Sequence, residues 1–265
     1  MTATFSSAAA PGQASASIAL VTGGSRGLGR SAAVHLARAG FDVVLTYRSR
    51  ADEAANVVRQ IESLGRRAVA MPLDLSATAG FSRFVDELRA VLPRHFGRDR
   101  FDALVNNAGE GAHVLLNDTT EALFDQMFQV HLKGVFFLTH QLVPLIAEGG
   151  RILNVSSGLT RFTVPGYGAY AAMKGGLEVL TRYMAKELAS RRITVNVIAP
   201  GAVETDFGGG AVRDNAELNQ ALAAQTTLGR VGQPDDIGAA VAMLLSPGSA
   251  WVTGQRLEVS GGMVL

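Results

Sequence analysis

A single doubly wound α/β domain, built on a parallel sheet of roughly seven strands with helices on both faces, is the fold this sequence predicts. Short β-rich runs alternate with longer helical stretches from Ile18 onward. Several of those runs are unbroken apolar segments, as expected of strands covered on both sides. No linker rich in Pro, Gly or Ser and no shift in composition divides the chain. Alternation of this kind folds through right-handed crossovers into one sheet. With 265 residues, 48% apolar and 18% charged, the chain can bury a substantial core and is not a disordered protein.

Taken in order, Met1–Ala16 is Ala, Ser, Thr, Gly, Pro and Gln apart from Met1 and Phe5. No basic residue precedes Arg26 and no apolar run precedes Ile18, so the signal-peptide pattern is missing. A disordered tail is expected over residues 1–16, with the folded domain over 17–265. Strands are expected at Ile18–Thr22, Asp42–Tyr47, Arg67–Pro72, Ala103–Asn106, Arg151–Val155, Thr194–Ala199 and Arg256–Val259. Helical patterns lie between them at Arg30–Ala39, Asp52–Leu64, Ala77–Val91, Glu121–Ala147, Tyr170–Ser190 and Pro234–Leu245. Gly40 and Gly65 follow the first two helices, where a left-handed C′ residue ends a helix well.

Composition excludes several classes. The net charge is +1 and no Lys/Arg cluster forms a nucleic-acid stripe. There are no cysteines, which removes disulfides, Cys-bound zinc and thiol chemistry and suits a reducing cytoplasm. No apolar stretch reaches membrane-spanning length. His35, His95, His113 and His140 have no metal-ligand spacing, so no metal is expected.

The first strand runs into Thr22-Gly23-Gly24-Ser25-Arg26-Gly27-Leu28-Gly29 and then a helix. Glycines at such a turn let the backbone approach a diphosphate, and the helix N-terminus offers unpaired N–H groups to its charge. This is the arrangement of a Rossmann dinucleotide site. The second strand ends in Tyr47, Arg48 and Ser49, without the acidic residue that would bind the ribose hydroxyls of NAD. Arg48 and Arg26 together suit a 2′-phosphate, so NADP(H) is the expected cofactor.

Tyr170-Ala171-Ala172-Met173-Lys174 opens a later helix, and Ser157 closes the strand before it. Side chains at i and i+4 share a helix face. A free phenol has a pKa of ~10, and a neighbouring cation favours its phenolate, which suits proton transfer. Ser157 is placed to hold and polarise a substrate oxygen.

These residues together resemble the short-chain dehydrogenase/reductase family, in its short single-domain branch. The resemblance runs from Ile18 to Val264 and rests on Thr22-Gly23-x-x-x-Gly27-x-Gly29, Asp74, Asn106-Asn107-Ala108-Gly109, Ser157, Tyr170-x-x-x-Lys174, Pro200-Gly201 and Thr205. It implies that Tyr170 exchanges the proton, Lys174 binds the nicotinamide ribose and activates the tyrosine, and Ser157 orients the carbonyl. It also implies that Asp74 and Leu75 lie along the adenine, Asn107 near the adjacent ribose, and Val203 and Thr205 near the nicotinamide amide. One position departs from the family: His131-Leu132-Lys133-Gly134 stands where an Asn supporting a water relay is usual.

The expected substrate is a small-molecule carbonyl or alcohol, a ketone or a 3-oxoacyl thioester, bound by loops at Glu110–Val114, Gly158–Gly166 and Phe207–Thr227, with Leu159, Phe162 and Val164 as apolar lining. Gly208-Gly209-Gly210 suggests a mobile lid. A general likeness to β-ketoacyl-acyl carrier protein reductases points to Arg191 as one basic docking position, although Ile146-Ala147-Glu148-Gly149-Gly150 is acidic where those enzymes are basic. Phe124, Met127, Phe128 and Leu177, Leu180, Met184 recur at helical spacing. The family resemblance makes their two helices the contact of a homodimer or homotetramer. A non-catalytic NADP(H) sensor of the same fold is the rival reading, against which the intact Ser157, Tyr170 and Lys174 stand.

Overall fold

Residues 16–265 are described by a computed structural model; the expected tail lies outside them except for Ala16, whose carbonyl accepts a hydrogen bond from Arg98 (3.1 Å). The strands are Ile18–Val21 (β1), Asp42–Tyr47 (β2), Ala68–Pro72 (β3), Phe101–Asn106 (β4), Ile146–Val155 (β5), Thr194–Pro200 (β6) and Arg256–Val259 (β7). They pair in parallel as one seven-stranded sheet in the order β3-β2-β1-β4-β5-β6-β7. The order reverses between β1 and β4, which opens the crevice where such sheets bind ligands.

Helices Gly27–Arg38 (α1) and Ala51–Ser63 (α2), with Pro234–Leu244 much later in the chain, cover one face of the sheet through Leu36, Val57, Ile61, Ile237 and Val241. Phe81–Val91 (α3), Gly134–Leu142 and Gly168–Glu187 cover the other through Phe81, Leu88, Leu138, Leu142 and Met184. Both faces of the central strands are therefore dry, which is why β1 reads as four consecutive apolar residues. Gly40 (φ 95°) and Gly65 (φ 75°) take the left-handed conformation expected of them at the ends of α1 and α2.

The stretch expected as one helix over Glu121–Ala147 is broken in three places. Glu121–Phe128 (α4) passes through a π-helical turn, Gln129–Lys133, before Gly134–Leu142 (α5). Gly134 is needed there because a Cβ would lie 2.4 Å from the Leu75 carbonyl and 2.7 Å from that of Gln129. Helix α5 stops before Pro144, which has no N–H to continue the ladder. Ile146 already pairs with Phe101, so β5 begins five residues earlier than expected, with a register shift between Phe101 and Ala103.

After the long helix Gly168–Glu187 (α6), the loop reading of Phe207–Thr227 also needs correction. It contains Ala211–Asp214 (α7) and Ala216–Ala224 (α8), the latter capped by the Asn215 side chain accepting from Leu218 N–H (3.0 Å). Helix Pro234–Leu244 (α9) precedes β7. Of the apolar residues expected to pair subunits, Met127, Leu177 and Met184 are buried within the chain instead. The surface they leave is formed by Phe128, Phe136, Phe137, Val179 and Tyr183, all exposed. Among the described residues no helix is long and apolar enough to cross a membrane.

Candidate active site

Every residue singled out from the sequence as catalytic or cofactor-binding lines one cleft of about 600 Å³ at the strand C-termini. The Gly-rich turn forms its floor. Gly23 takes φ 65° and Gly27 φ 53°, and a Cβ on Gly29 would sit 2.2 Å from the Gly23 carbonyl. The turn is pinned from β4: Asn107 donates its side-chain amide to the carbonyls of Thr22 (2.9 Å) and Gly23 (3.2 Å). Thr22, a buried residue whose role the sequence did not disclose, accepts through Oγ1 from the N–H groups of Asn107 (2.9 Å) and Ala108 (3.0 Å). Helix α1 carries no acidic residue in its first turn, so its N-terminal dipole faces the cleft uncancelled.

At the rim, Arg48 lies 3.4 Å from Glu110 and Arg26 lies 3.4 Å from Asp206. Both guanidiniums are more than half exposed, so these pairs hold them loosely. Asp74 turns its carboxylate onto Ser76, accepting from the backbone N–H (2.9 Å) and the hydroxyl (2.7 Å).

The inner end holds Ser157, Tyr170 and Lys174. Tyr170 and Lys174 are buried one turn apart on α6, with Nζ 5.7 Å from the phenol ring centroid and donating to the Val155 carbonyl (2.7 Å). Ser157 takes extended backbone angles just past β5 and accepts through Oγ from Leu159 N–H (3.2 Å). Burial pushes the Tyr170 phenol above its ordinary pKa, partly offset by its hydrogen bond with Ser157 and reinforced by Tyr167. The lowering expected from the Lys174 cation is not what sets the phenol, whose shift is governed by desolvation. Burial also lowers the Lys174 ammonium to about 8.

His131 is the residue whose weight the sequence least revealed. The π turn swings its ring into the cleft wall, where Nε2 meets the Glu110 carbonyl at 2.7 Å. A carbonyl only accepts, so the ring carries its proton on Nε2 and leaves Nδ1 bare, buried and without a partner. The ring meets Tyr170 edge-on at 5.1 Å between centroids. Burial first, then the Lys174 charge, lower its pKa to about 3 against the raising effect of the Glu110 carbonyl. The imidazole is therefore neutral throughout ordinary pH.

Of the three loops expected to receive substrate, two supply lining. Gly111 and His113 come from the first, and Phe207, Gly208 and Gly209 from the third. The second contributes little past Ser157: Phe162 lies under Arg161 (5.6 Å) and against Gly158, and Val164 is exposed. Leu159 packs into the small cluster of Met127, Tyr170 and Met173. Aromatic rings ring the phenol instead. Phe207 lies 5.6 Å from Tyr170, Tyr167 lies 6.4 Å from it, and His113 stands 5.0 Å from Tyr167. Among the described residues no cluster has the make-up of a metal site.

A family model described as Enoyl-(Acyl carrier protein) reductase matches residues 23–264. The hydroxynaphthalene reductase-like protein Arp2 of Metarhizium brunneum is 36% identical over 270 residues, spanning 98% of this chain and 99% of that protein. Among solved structures, the promiscuous reductase LugOII, which catalyses keto-reduction at C1 during lugdunomycin biosynthesis, has a TM-score of 0.89 and 40% identity. The match covers 94% of this chain and 97% of that one. The angucycline C-6 ketoreductase LanV, solved with bound NADP, has a TM-score of 0.89 and 38% identity, covering 94% of this chain and 95% of its own.

Proposed function

Because the chain belongs to the short-chain dehydrogenase/reductase family, we propose that it is an NADP(H)-dependent ketoreductase that interconverts a ketone and a secondary alcohol through Ser157, Tyr170 and Lys174. The observation that carries this reading is the convergence of those three side chains at the closed end of the cleft whose other end is the Gly-rich turn. The residues present fit the cofactor. A Cβ at Gly23 would lie 2.8 Å from Ala108 and one at Gly29 2.2 Å from the Gly23 carbonyl, so only glycines let the turn close tightly with its backbone free to meet a diphosphate, and Arg26 and Arg48 are loosely held cations beside it. Ser25, Gly27, Leu28, Tyr47 and Ser49 line the same end. Asp74 and Leu75 would border the adenine, Asn107 to Gly109 the ribose, and Pro200, Gly201, Val203 and Thr205 the nicotinamide amide. Bound there, NADPH supplies the hydride for the carbonyl carbon.

The protein's own residues handle the oxygen. Ser157 donates to the carbonyl and polarises it, and Tyr170 gives up the phenolic proton as the alkoxide develops. The raised phenol pKa keeps Tyr170 protonated, the form that reduction consumes. Lys174, anchored on the Val155 carbonyl, stabilises the phenolate left behind.

The substrate class we favour is a free cyclic ketone on a flat aromatic skeleton. The Phe207 and His113 rings that line the cleft, with Tyr167 packed against His113 and Tyr170, suit such a face by stacking. Two similar proteins are named for aromatic chemistry of this kind, a hydroxynaphthalene reductase-like protein and an angucycline ketoreductase. A carrier-protein substrate is disfavoured because Arg191, the expected docking cation, is engaged with Glu148 (2.7 Å) and the carbonyls of Val143 (2.7 Å) and Ile146 (2.5 Å).

The test is NADPH oxidation across a panel of 1-tetralone, quinones, aliphatic ketones and acyl thioesters. With the fastest of them, Tyr170→Phe is expected to lower turnover at least ~100-fold while NADPH binding survives. Near-normal turnover in that variant refutes the assignment of the proton donor.

A further inference from the structure

We propose that Arg256 and Glu178, neither of which lines the cleft, form a positioning pair that aims the Ser157 hydroxyl at the substrate carbonyl. The inference rests on the ketoreductase reading above and extends it to a side-chain network behind the catalytic serine.

Ser157 stands one residue beyond Ser156, whose backbone N–H, bonded to the Ile198 carbonyl (2.8 Å), is the last tie of that strand to β6. Past that point the sheet no longer dictates where Ser157 points. Its own carbonyl is held by the Thr160 N–H (3.3 Å) and by Arg256 Nη2 (3.3 Å), which reaches it from β7, across the intervening strand β6. The same Nη2 donates to Thr160 Oγ1 (3.0 Å). The rest of the guanidinium is committed as well: Nε donates to Glu178 (2.7 Å) and Nη1 to Glu258 (2.5 Å).

Glu178 closes the network from the other side. A single carboxylate oxygen, Oε1, faces Arg256 Nε (2.7 Å), the Ser156 hydroxyl (2.6 Å) and the Thr160 hydroxyl (2.7 Å). It therefore grips the residues on both sides of Ser157. Glu178 lies one turn beyond Lys174 and two beyond Tyr170, on the same face of α6. The pair consequently ties the serine's loop to the helix that carries the other two reacting groups. The Glu178 and Arg256 side chains are only 14% and 25% exposed, so the ion pair is partly shielded and the loss of one partner leaves the other without compensation.

A planar fork is required here. Arg256 makes four contacts in two directions at fixed angles, and a lysine ammonium cannot reproduce that spread. The network also explains Gly158. A Cβ there would lie 2.8 Å from the Phe162 ring and 3.2 Å from Glu258 Oε1, so the residue after the serine has little room beside the network.

The experiment is a double-mutant cycle on the full chain with NADPH and 1-tetralone, combining Ser157→Ala with Arg256→Met. If Arg256 acts through Ser157, Arg256→Met alone lowers kcat roughly tenfold, the size of a lost charge-assisted contact, with KM and NADPH affinity little changed. In the Ser157→Ala background the same change then costs nothing further. Arg256→Lys is expected to recover only part of the lost kcat. Multiplicative losses in the double variant, which would have Arg256 act independently of Ser157, or an unchanged kcat for Arg256→Met, which would leave the pair to stability alone, overturn the proposal. Should Arg256→Met fail to fold, Glu178→Gln, which is isosteric, replaces it in the cycle with the same two outcomes. Ser157→Ala at the wild-type rate would instead overturn the ketoreductase reading itself, so the two failures are distinguishable.

Discussion

Two single residues decide how far this chain follows its family. His131 replaces an Asn, yet its ring is fixed by the Glu110 carbonyl (2.7 Å) and neutral, with a pKa near 3. An imidazole that does not titrate near neutrality cannot serve as the proton shuttle that its ordinary pKa of ~6.5 would suggest. His131→Asn should therefore keep turnover within a few-fold and leave the pH–rate profile in place. A profile that loses its acidic limb would show that the imidazole moves protons after all. Stability should respond differently. The unfolded chain takes up this proton at pH ~6.5 and the folded chain only at about 3, so the neutral ring favours folding above pH 6.5. That contribution is lost as pH falls toward 3. Melting temperature should accordingly drop less between pH 6.5 and 4.5 in His131→Asn than in the parent. Arg48 carries the second test. Its only described partner is Glu110 at 3.4 Å, so it is available to a 2′-phosphate. Arg48→Ala should weaken NADPH by roughly 1.5–3 kcal/mol and NADH hardly at all. Equal catalytic efficiency with the two cofactors in the parent protein would contradict the cofactor assignment.

Among the elements, the π turn at Gln129–Lys133 is the one that builds the site without leaving a clear trace in sequence. The apolar spacing of Glu121–Ala147 is continuous enough to read as one helix. The extra residue in the turn is stabilised by partners outside it: His131 reaches Glu110, and Gly134 lets the Leu75 segment approach. Gly134→Ala should thus cost about 1–3 kcal/mol by overpacking, and should weaken NADPH as well, because Leu75 lines the cofactor end of the cleft. Thermal melting and a fluorescence titration check the two effects, and an unchanged melting temperature would argue that the turn relaxes freely. Helix α8, by contrast, was readable. Asn215 before Ala-Glu-Leu-Asn-Gln-Ala-Leu-Ala-Ala is an N-cap followed by good helix formers, and the three glycines just upstream, all with positive φ, set it apart from β6.

At the scale of the whole molecule, one face remains apolar after the chain has folded. Phe128, Leu132, Phe136, Phe137, Val179 and Tyr183 line a groove between α5 and α6. Charged residues are nearly absent from it, with Lys133 at its border. A patch of this kind on a small protein marks an interaction surface, and a second copy of the chain is the partner expected from the family resemblance. The face lies on the back of α6, the helix that carries Tyr170 and Lys174, so association would also brace the catalytic helix. Phe137→Lys should yield a smaller species by light scattering and a lower melting temperature, without altering the cofactor preference. An unchanged mass would refute this face as a contact between copies of the chain.

The features that the sequence by itself determined are those written in local spacing. Continuous apolar runs announced buried parallel strands, the glycines after β1 announced a tight turn into α1, and an i, i+4 Tyr–Lys pair announced a shared helix face. Periodicity and backbone permissiveness act over a few residues, so they survive without a structure. What only the tertiary structure decided involves partners far apart in the chain. Arg256 reaches Ser157 across 99 positions, Thr22 is read by Asn107 across 85, and His131 finds Glu110 across 21. The protonation states belong to the same category. Lys174 beside Tyr170 implied a lowered phenol pKa, but the phenol is raised, because desolvation depends on everything packed around a group and not on its neighbours in sequence.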